Sequence, residues 1–285
     1  LSRRTIRDVI DRWWRQDEAP ALDSGKRALQ RDEAYALTEI LHAVFDNLKV
    51  DLRENAPEFF RNLPVERLLG YYPASYPAAE NEYRISAWKG NARPGPDAAA
   101  LSRAADLALV AYDTNDRSSQ FLQGWLTRDR FLLRGAYGAP YEFLWGNPYQ
   151  PGLSYYHMPL AFHDARSGRL FLRSSWDDDA VWFGCFDGEI QIFEKGERKV
   201  LKPGVPAEPM HIGDALVLIS PNASRLELDG LGVKTIYVVG LRSGESYEID
   251  LNGQKKRTET AGSGGILALG IDPRPKLALR LRPAS

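Results

Sequence analysis

Between Trp125 and Gly188 the chain reads WLTRDRFLLRGAYGAPYEFLWGNPYQPGLSYYHMPLAFHDARSGRLFLRSSWDDDAVWFGCFDG. Trp, Tyr and Phe are crowded there with Arg, Asn, Gln and two of the chain's four histidines, His157 and His163. Aromatic faces beside hydrogen-bonding side chains suit a sugar, whose ring has apolar faces and polar edges. A second irregular stretch, GYYPASYPAAENEYRISAWKGNARPGP over residues 70–96, adds Asn81, Tyr83 and Arg84. Tyr and His are side chains that move protons, while Asn and Arg can hold an anion. The candidate proton-transfer residues are therefore His157, Tyr83 and Tyr156. The candidate binding residues are Asn81, Arg84, Trp145, Asn147, Tyr149 and Tyr155. His157 leads because it follows a Pro151-Gly152 entry at a change of architecture; a structural histidine, hydrogen-bonded beneath a sheet, is the competing role. For the aromatics, to which Trp176 is added, the competing role is packing at an interface.

Other constellations carry less. His157, His163 and Asp164 are metal-ligand types, but six residues of extended chain span about 20 Å, too far to share one ion without a bulge. Neither a metal nor a cofactor is expected. Glu80 with Glu82, or Glu142, could supply glycosidase carboxylates, although the spacing that such chemistry needs is not readable from sequence; solvated loop charges are the plainer reading. Asp177–Asp179 reads as a polar turn. Ser154 lacks a nucleophile-elbow context, and no phosphate-binding glycine loop is present. Cys185, the single cysteine, sits in the apolar run AVWFGCF and reads as an inert buried thiol.

The elements that must position these residues follow from periodicity. Ile6, Val9, Ile10, Trp13 and Trp14 recur at helical spacing after Thr5, a candidate cap. A second helix is predicted over residues 24–48. Residues 55–69 read as short helical pieces interrupted at Pro57 and Pro64. Residues 70–96 lose the period and read as a long ordered loop. Helices are predicted from Asp97, as N-cap, to Tyr112 and over residues 118–130. From Pro151 the period becomes two. Strands are predicted at 155–163, 169–173, 180–186, 189–194, 215–220, 225–228, 234–239, 247–251, 255–260 and 266–269. Asn252-Gly253 is the strongest hairpin signal, because a tight hairpin turn needs positive φ at both central positions. Helices followed by evenly spaced short strands give an α+β chain: a helical unit over 1–148, then a large antiparallel β-sandwich over 149–285.

Composition sets the outer bounds. With 285 residues, 44% of them hydrophobic and 26% charged, the chain can bury a core. A formal net charge of -1 offers no overall basic surface for nucleic acid. No apolar run is long enough to span a membrane.

The segment GRLFLRSSWDDDAVWFGCFDG resembles the sandwich-entry motif of the heparinase II/III-like polysaccharide lyases. In that motif a strand ending in Arg-Ser-x-Trp precedes an acidic turn and an aromatic strand. The matching positions are Arg173, Ser174, Ser175, Trp176, Asp177–Asp179, Ala180 and Trp182–Phe183. The run from Gly240 through Asn252-Gly253 to Leu269 is similar to the terminal hairpins of such sandwiches. The resemblance spans about residues 98–285 and implies the end of an (α/α) toroid beside an antiparallel β-sandwich, with sugar as ligand. It also implies a periplasmic or secreted location and β-elimination on a uronic-acid glycan. In that reaction the carboxylate is neutralised, the adjacent proton is removed by a base, and the leaving oxygen is protonated. Two features depart from the pattern. The chain supplies fewer helices than a full toroid, so it reads as a fragment or reduced relative. A further N-terminal portion or another chain would then cover Trp13 and Trp14. The His-x-His-x-Asp stretch expected after the motif is also absent, since DGEIQIFEKGERKVL contains no His. The alternative to a lyase is a non-catalytic carbohydrate-binding or structural module of the same architecture.

Overall fold

The computed structural model describes residues 2–29, 31–74, 84–90, 95–128, 144, 151–221, 225–253 and 257–284. The chain is α+β, with its helices first and its strands after. It divides into two compact units: Leu1–Trp88 with Ala92–Pro159, and Lys89–Asn91 with Leu160–Ser285. No described helix is long and apolar enough to cross a membrane.

The first unit begins with α1 (Ser2–Arg7), a π-helical stretch over Asp8–Glu18, and α2 (Ala19–Asp23). The π winding alters which side chains face inward. Hydrogen bonds from i to i+5 widen each turn, so Ile10, Trp14 and Glu18, four apart, are the buried set. Trp13 falls outside that set and is exposed, as is Ile6 of α1. The expectation that Trp14 needs a cover from elsewhere is corrected: it is fully buried by its own chain, and its indole Nε1 donates to the Leu52 carbonyl at 2.8 Å. Next come α3 (Arg31–Leu48), a 3-10 turn at Leu52–Asn55 and α4 (Pro57–Leu69).

α4 is continuous, which corrects the predicted interruptions. Pro57 occupies the first turn, where a missing N–H costs nothing. Pro64 lies inside the helix and forfeits one backbone bond, a cost of about 3 kcal/mol. Burial of Pro64 itself with Leu63, Leu68 and Leu69 offsets that loss. α5 (Pro96–Tyr112) is capped by Gly95, with Asp97 in its first turn rather than at its cap. α6 (Arg117–Arg128) completes the described helices of this unit, save the single helical position Leu144. Trp14, Leu22, Leu37, Leu41 and Leu52 form one of its cores.

The second unit holds β1 (Ala161–Asp164), β2 (Arg169–Arg173), β3 (Trp182–Phe186), β4 (Glu189–Glu194) and β5 (Glu197–Leu201) as one five-stranded antiparallel sheet. It also holds β6 (Met210–Ile212), β7 (Ala215–Ile219), β8 (Arg225–Asp229), β9 (Thr235–Val239), β10 (Ser246–Leu251), β11 (Arg257–Thr260), β12 (Leu267–Gly270) and β13 (Lys276–Pro283). These form a four-stranded sheet ordered β11-β10-β13-β8 and another ordered β12-β9-β7-β6. The latter is mixed, because β7 and β9 run parallel, so the unit departs from an all-antiparallel arrangement.

β7 shows how the sequence selects this arrangement. Its five residues are all buried. Ala215, Val217 and Ile219 enter a core with Leu170, Leu172, Phe183 and Ile190 of the five-stranded sheet. Leu216 and Leu218 enter another with Leu228, Ile249, Leu277 and Leu279. A strand buried on both faces must be apolar at every position, and Ala-Leu-Val-Leu-Ile is. The predicted strand at 155–163 is corrected: Tyr155–His157 is a 3-10 turn, and strand geometry begins at Ala161. Pro159 lacks the N–H that a ladder would use. Asn252 and Gly253 take positive φ, 56° and 71°, but the pairing of Ile249 with Arg257 centres the β10–β11 connection on Gly253, not on a two-residue turn, and residues 254–256 lie outside the described residues.

Candidate functional site

The side chains that can do chemistry in the first unit are organised around Trp125, an almost fully buried residue of α6. Its ring lies 5.9 Å from Tyr71 and 5.0 Å, edge-on, from Tyr155. Tyr155 in turn stacks on Tyr156, with centroids 4.9 Å apart and planes 22° from parallel. The rings form a ladder from a buried end at Tyr71 to a solvent-facing end at Tyr156, which is 51% exposed.

Cations flank the ladder. The Arg84 guanidinium sits 5.0 Å from the Trp125 ring centre, within cation–π range, and its Nε donates to the Pro73 carbonyl at 2.8 Å. Arg128, one helical turn beyond Trp125, donates to the Tyr155 hydroxyl and also approaches the ring, 5.8 Å from its centre. At the buried end the Tyr71 hydroxyl donates to Asp106 Oδ2 at 2.7 Å, and Arg67 Nε lies 3.8 Å from the other carboxylate oxygen. Asp106 belongs to α5 and is 1% exposed.

Local backbone chemistry aims Tyr155 at this helix. The Leu153 N–H donates to the Gln120 carbonyl of α6 at 2.9 Å. Gly124 and Gly152 make the approach possible: a Cβ on Gly124 would lie 2.0 Å from the Leu153 oxygen. The chain then makes its 3-10 turn, closed by Met158 N–H to the Tyr155 carbonyl at 2.9 Å. Tyr155 points back onto Trp125, while Tyr156 and His157 remain exposed.

Burial raises the Tyr155 hydroxyl above the ordinary phenol range, and Arg128 opposes that shift without cancelling it. The phenol therefore keeps its proton more firmly than an ordinary tyrosine. The ladder with its guanidiniums can seat a planar or ring-shaped ligand that carries negative charge. His157 follows Tyr156 directly in the chain and is likewise exposed.

The structure thus brings Arg84, Tyr155, Tyr156 and His157 into one region. Asn81, Tyr83, Trp145, Asn147 and Tyr149 lie outside the described residues, as do Glu80, Glu82 and Glu142. His163 belongs to the second unit, on β1, its ring edge-on to Tyr237 at 5.7 Å. Sequence reasoning missed Arg128, although its position three residues after Trp125 puts both on one helix face. It also missed the Tyr71–Asp106 anchor, which joins positions far apart in the chain and leaves no local signal.

The Arg-Ser-x-Trp segment of the second unit is built as a corner. Arg173 is fully buried, with its guanidinium 4.6 Å from the Trp176 ring centre. Ser174 closes the turn by pairing with Val181, backbone to backbone and through its hydroxyl, at 2.9 Å each. Asp177–Asp179 are exposed on that turn. Gly184 follows because the Trp182 ring occupies its side-chain space; a Cβ there would come within 2.3 Å of the indole. Among the described residues, no group of three or more His, Cys, Asp or Glu is placed to hold a metal ion. No family model, curated protein or solved structure matches this chain.

Proposed function

We propose that this chain is a carbohydrate-active protein that binds a uronate-containing glycan at the Trp125–Tyr155–Tyr156 ladder and cleaves it by β-elimination. The observation that carries the reading is the ring ladder flanked by Arg84 and Arg128 and ending at exposed Tyr156 and His157. A sugar ring stacks on Tyr156. A guanidinium faces the carboxylate and makes the neighbouring C–H acidic. His157 takes that proton, the C–H electrons form the new C=C bond, and the bond to the glycosidic oxygen breaks. The departing oxygen receives a proton from a tyrosine hydroxyl.

The finer fold reading belongs with this proposal: the helical unit as the end of an (α/α) toroid and the strand unit as a β-sandwich. The resemblance around Arg173–Trp176 supports it, as does the sharing of cores between facing sheets. The reading places the protein in the periplasm or outside the cell.

A second reading, a binding module without chemistry, is favoured by one observation. Tyr155 is buried and already engaged by Arg128, so it serves stacking more directly than proton transfer. The test is incubation with a panel of uronate polysaccharides while the ultraviolet absorbance of an unsaturated product is followed. His157→Ala should abolish that signal and leave the melting temperature unchanged, because the side chain is exposed. Binding without absorbance change selects the module. Neither binding nor product from any glycan refutes both readings.

A further inference from the structure

The second unit contains an open cavity of about 530 Å³ where the end of β10 meets the connection between β12 and β13. Its volume falls in the range of about 300–1,000 Å³ typical of small-molecule sites. Ile249, Leu251 and Ile271 contribute apolar atoms to a lining that is mostly polar. Ile249 is anchored in the core that β10 shares with the mixed sheet, which fixes this side of the cavity. The rim is cationic. Lys234, Arg257 and Arg274 reach it from three separate segments, against the single lining carboxylate of Asp272.

These cations are not equivalent. Lys234 is 3.1 Å from Asp214, and Arg257 is 3.8 Å from Glu259. Arg274 makes no ion pair among the described residues, so the uncommitted positive charge of the rim is concentrated there. Gly270 leaves the wall open; a Cβ placed on it would meet nothing within 4 Å.

We propose that this cavity is an anion-binding subsite for a carboxylate-bearing sugar residue, distinct from the Tyr156 ladder. The guanidinium of Arg274, with Arg257 also lining the cavity, takes the carboxylate in a fork geometry, and the other polar lining groups face the sugar hydroxyls. That a uronate is the ligand rests on the function proposed above. That the ligand is a small organic anion rests on the cavity and its cations alone.

The experiment uses the full chain and a galacturonate tetrasaccharide bearing a photoreactive group, with a neutral glucose tetrasaccharide of the same design as control. Crosslinked peptides are mapped by mass spectrometry. The expected result is labelling within residues 249–274 by the acidic probe only. Arg257→Glu with Arg274→Glu should reduce it at least tenfold, and Gly270→Tyr should do the same by filling the cavity without touching charge. All these positions are at the rim or exposed, so melting temperatures should match the parent. Labelling only within residues 84–128 and 151–158 overturns the subsite and leaves the ladder proposal standing. Labelling only within 249–274 does the reverse. Equal labelling by the neutral probe, labelling unaffected by the three substitutions, or no labelling at all overturns the subsite.

Discussion

Tyr71→Phe removes one oxygen atom from the buried end of the ring ladder. The lost group donates to Asp106 Oδ2 at 2.7 Å, and both residues are almost wholly shielded from water. A hydrogen bond to a charged group contributes about 1.5–3 kcal/mol, and its loss leaves a buried carboxylate short of a donor. Arg67, 3.8 Å from the other oxygen, keeps Asp106 from being stranded and moderates the cost. The expected destabilisation is therefore about 2 kcal/mol, which corresponds to a fall in Tm of about 4–8 °C for a unit of this size. The assay is urea unfolding followed by tryptophan fluorescence, because Trp125 sits against Tyr71. A cycle with Asp106→Ala separates the bond from the packing. Residues bonded in this way should show coupling of at least about 1 kcal/mol. Coupling below about 0.3 kcal/mol would mean that the ladder is held by ring packing alone, and the anchoring argument would fail.

Two further outcomes follow from burial. His42 and His163 are both held below the ordinary value of 6.5 by desolvation. His42 Nε2 sits 2.8 Å from the Ala108 carbonyl, which suits a neutral ring donating there, and His163 Nε2 has no hydrogen-bond partner among the described residues. The unfolded chain then takes up protons first as pH falls through 6.5. Stability is full above that value and declines below it until the lower folded pKa is passed. Urea midpoints at pH 7.5 and 5.5 measure this, and His163→Phe should shrink the difference; an unchanged difference counts against the argument for that residue. Cys185, whose thiol is pushed up to about 12 by burial, should resist thiol reagents in the native protein and react only on unfolding. Native labelling as fast as that of unfolded chain would refute it.

The change from helices to strands was legible because a period of 3.6 and a period of two are different patterns. So were β2, β4 and β7, where apolar content and turn residues agree. The π-helical stretch was not, since Val9, Ile10, Trp13 and Trp14 fit ordinary helical spacing, yet of that stretch only Ile10, Trp14 and Glu18 are buried. β5 was missed because Glu-Arg-Lys-Val-Leu is a half-exposed strand at the edge of its sheet, without an apolar run. β13 alternates clearly, with Leu277 and Leu279 inward, yet was passed over beside Pro-rich flanks. Of the site, Arg84, Tyr155, Tyr156 and His157 were legible by residue type. Trp125 was not among the candidates, because the contacts that make it the hub come from outside its own helix.

The strand order has a consequence for synthesis. β8 is made between β7 and β9 but belongs to another sheet, where its hydrogen-bonded neighbour is β13. While the ribosome is still producing β9 to β12, β8 has no strand to pair with in its sheet. Leu216, Leu218, Ile236 and Val238 on the mixed sheet also lack the Leu277 and Leu279 that complete their core. Contacts that close over so long a stretch of chain form late, and apolar strands left waiting are open to pairing with neighbouring chains. A chain cut just before Lys276 should therefore leave a larger aggregated fraction on dilution from urea than the full chain, measured by light scattering; equal scattering counts against the argument.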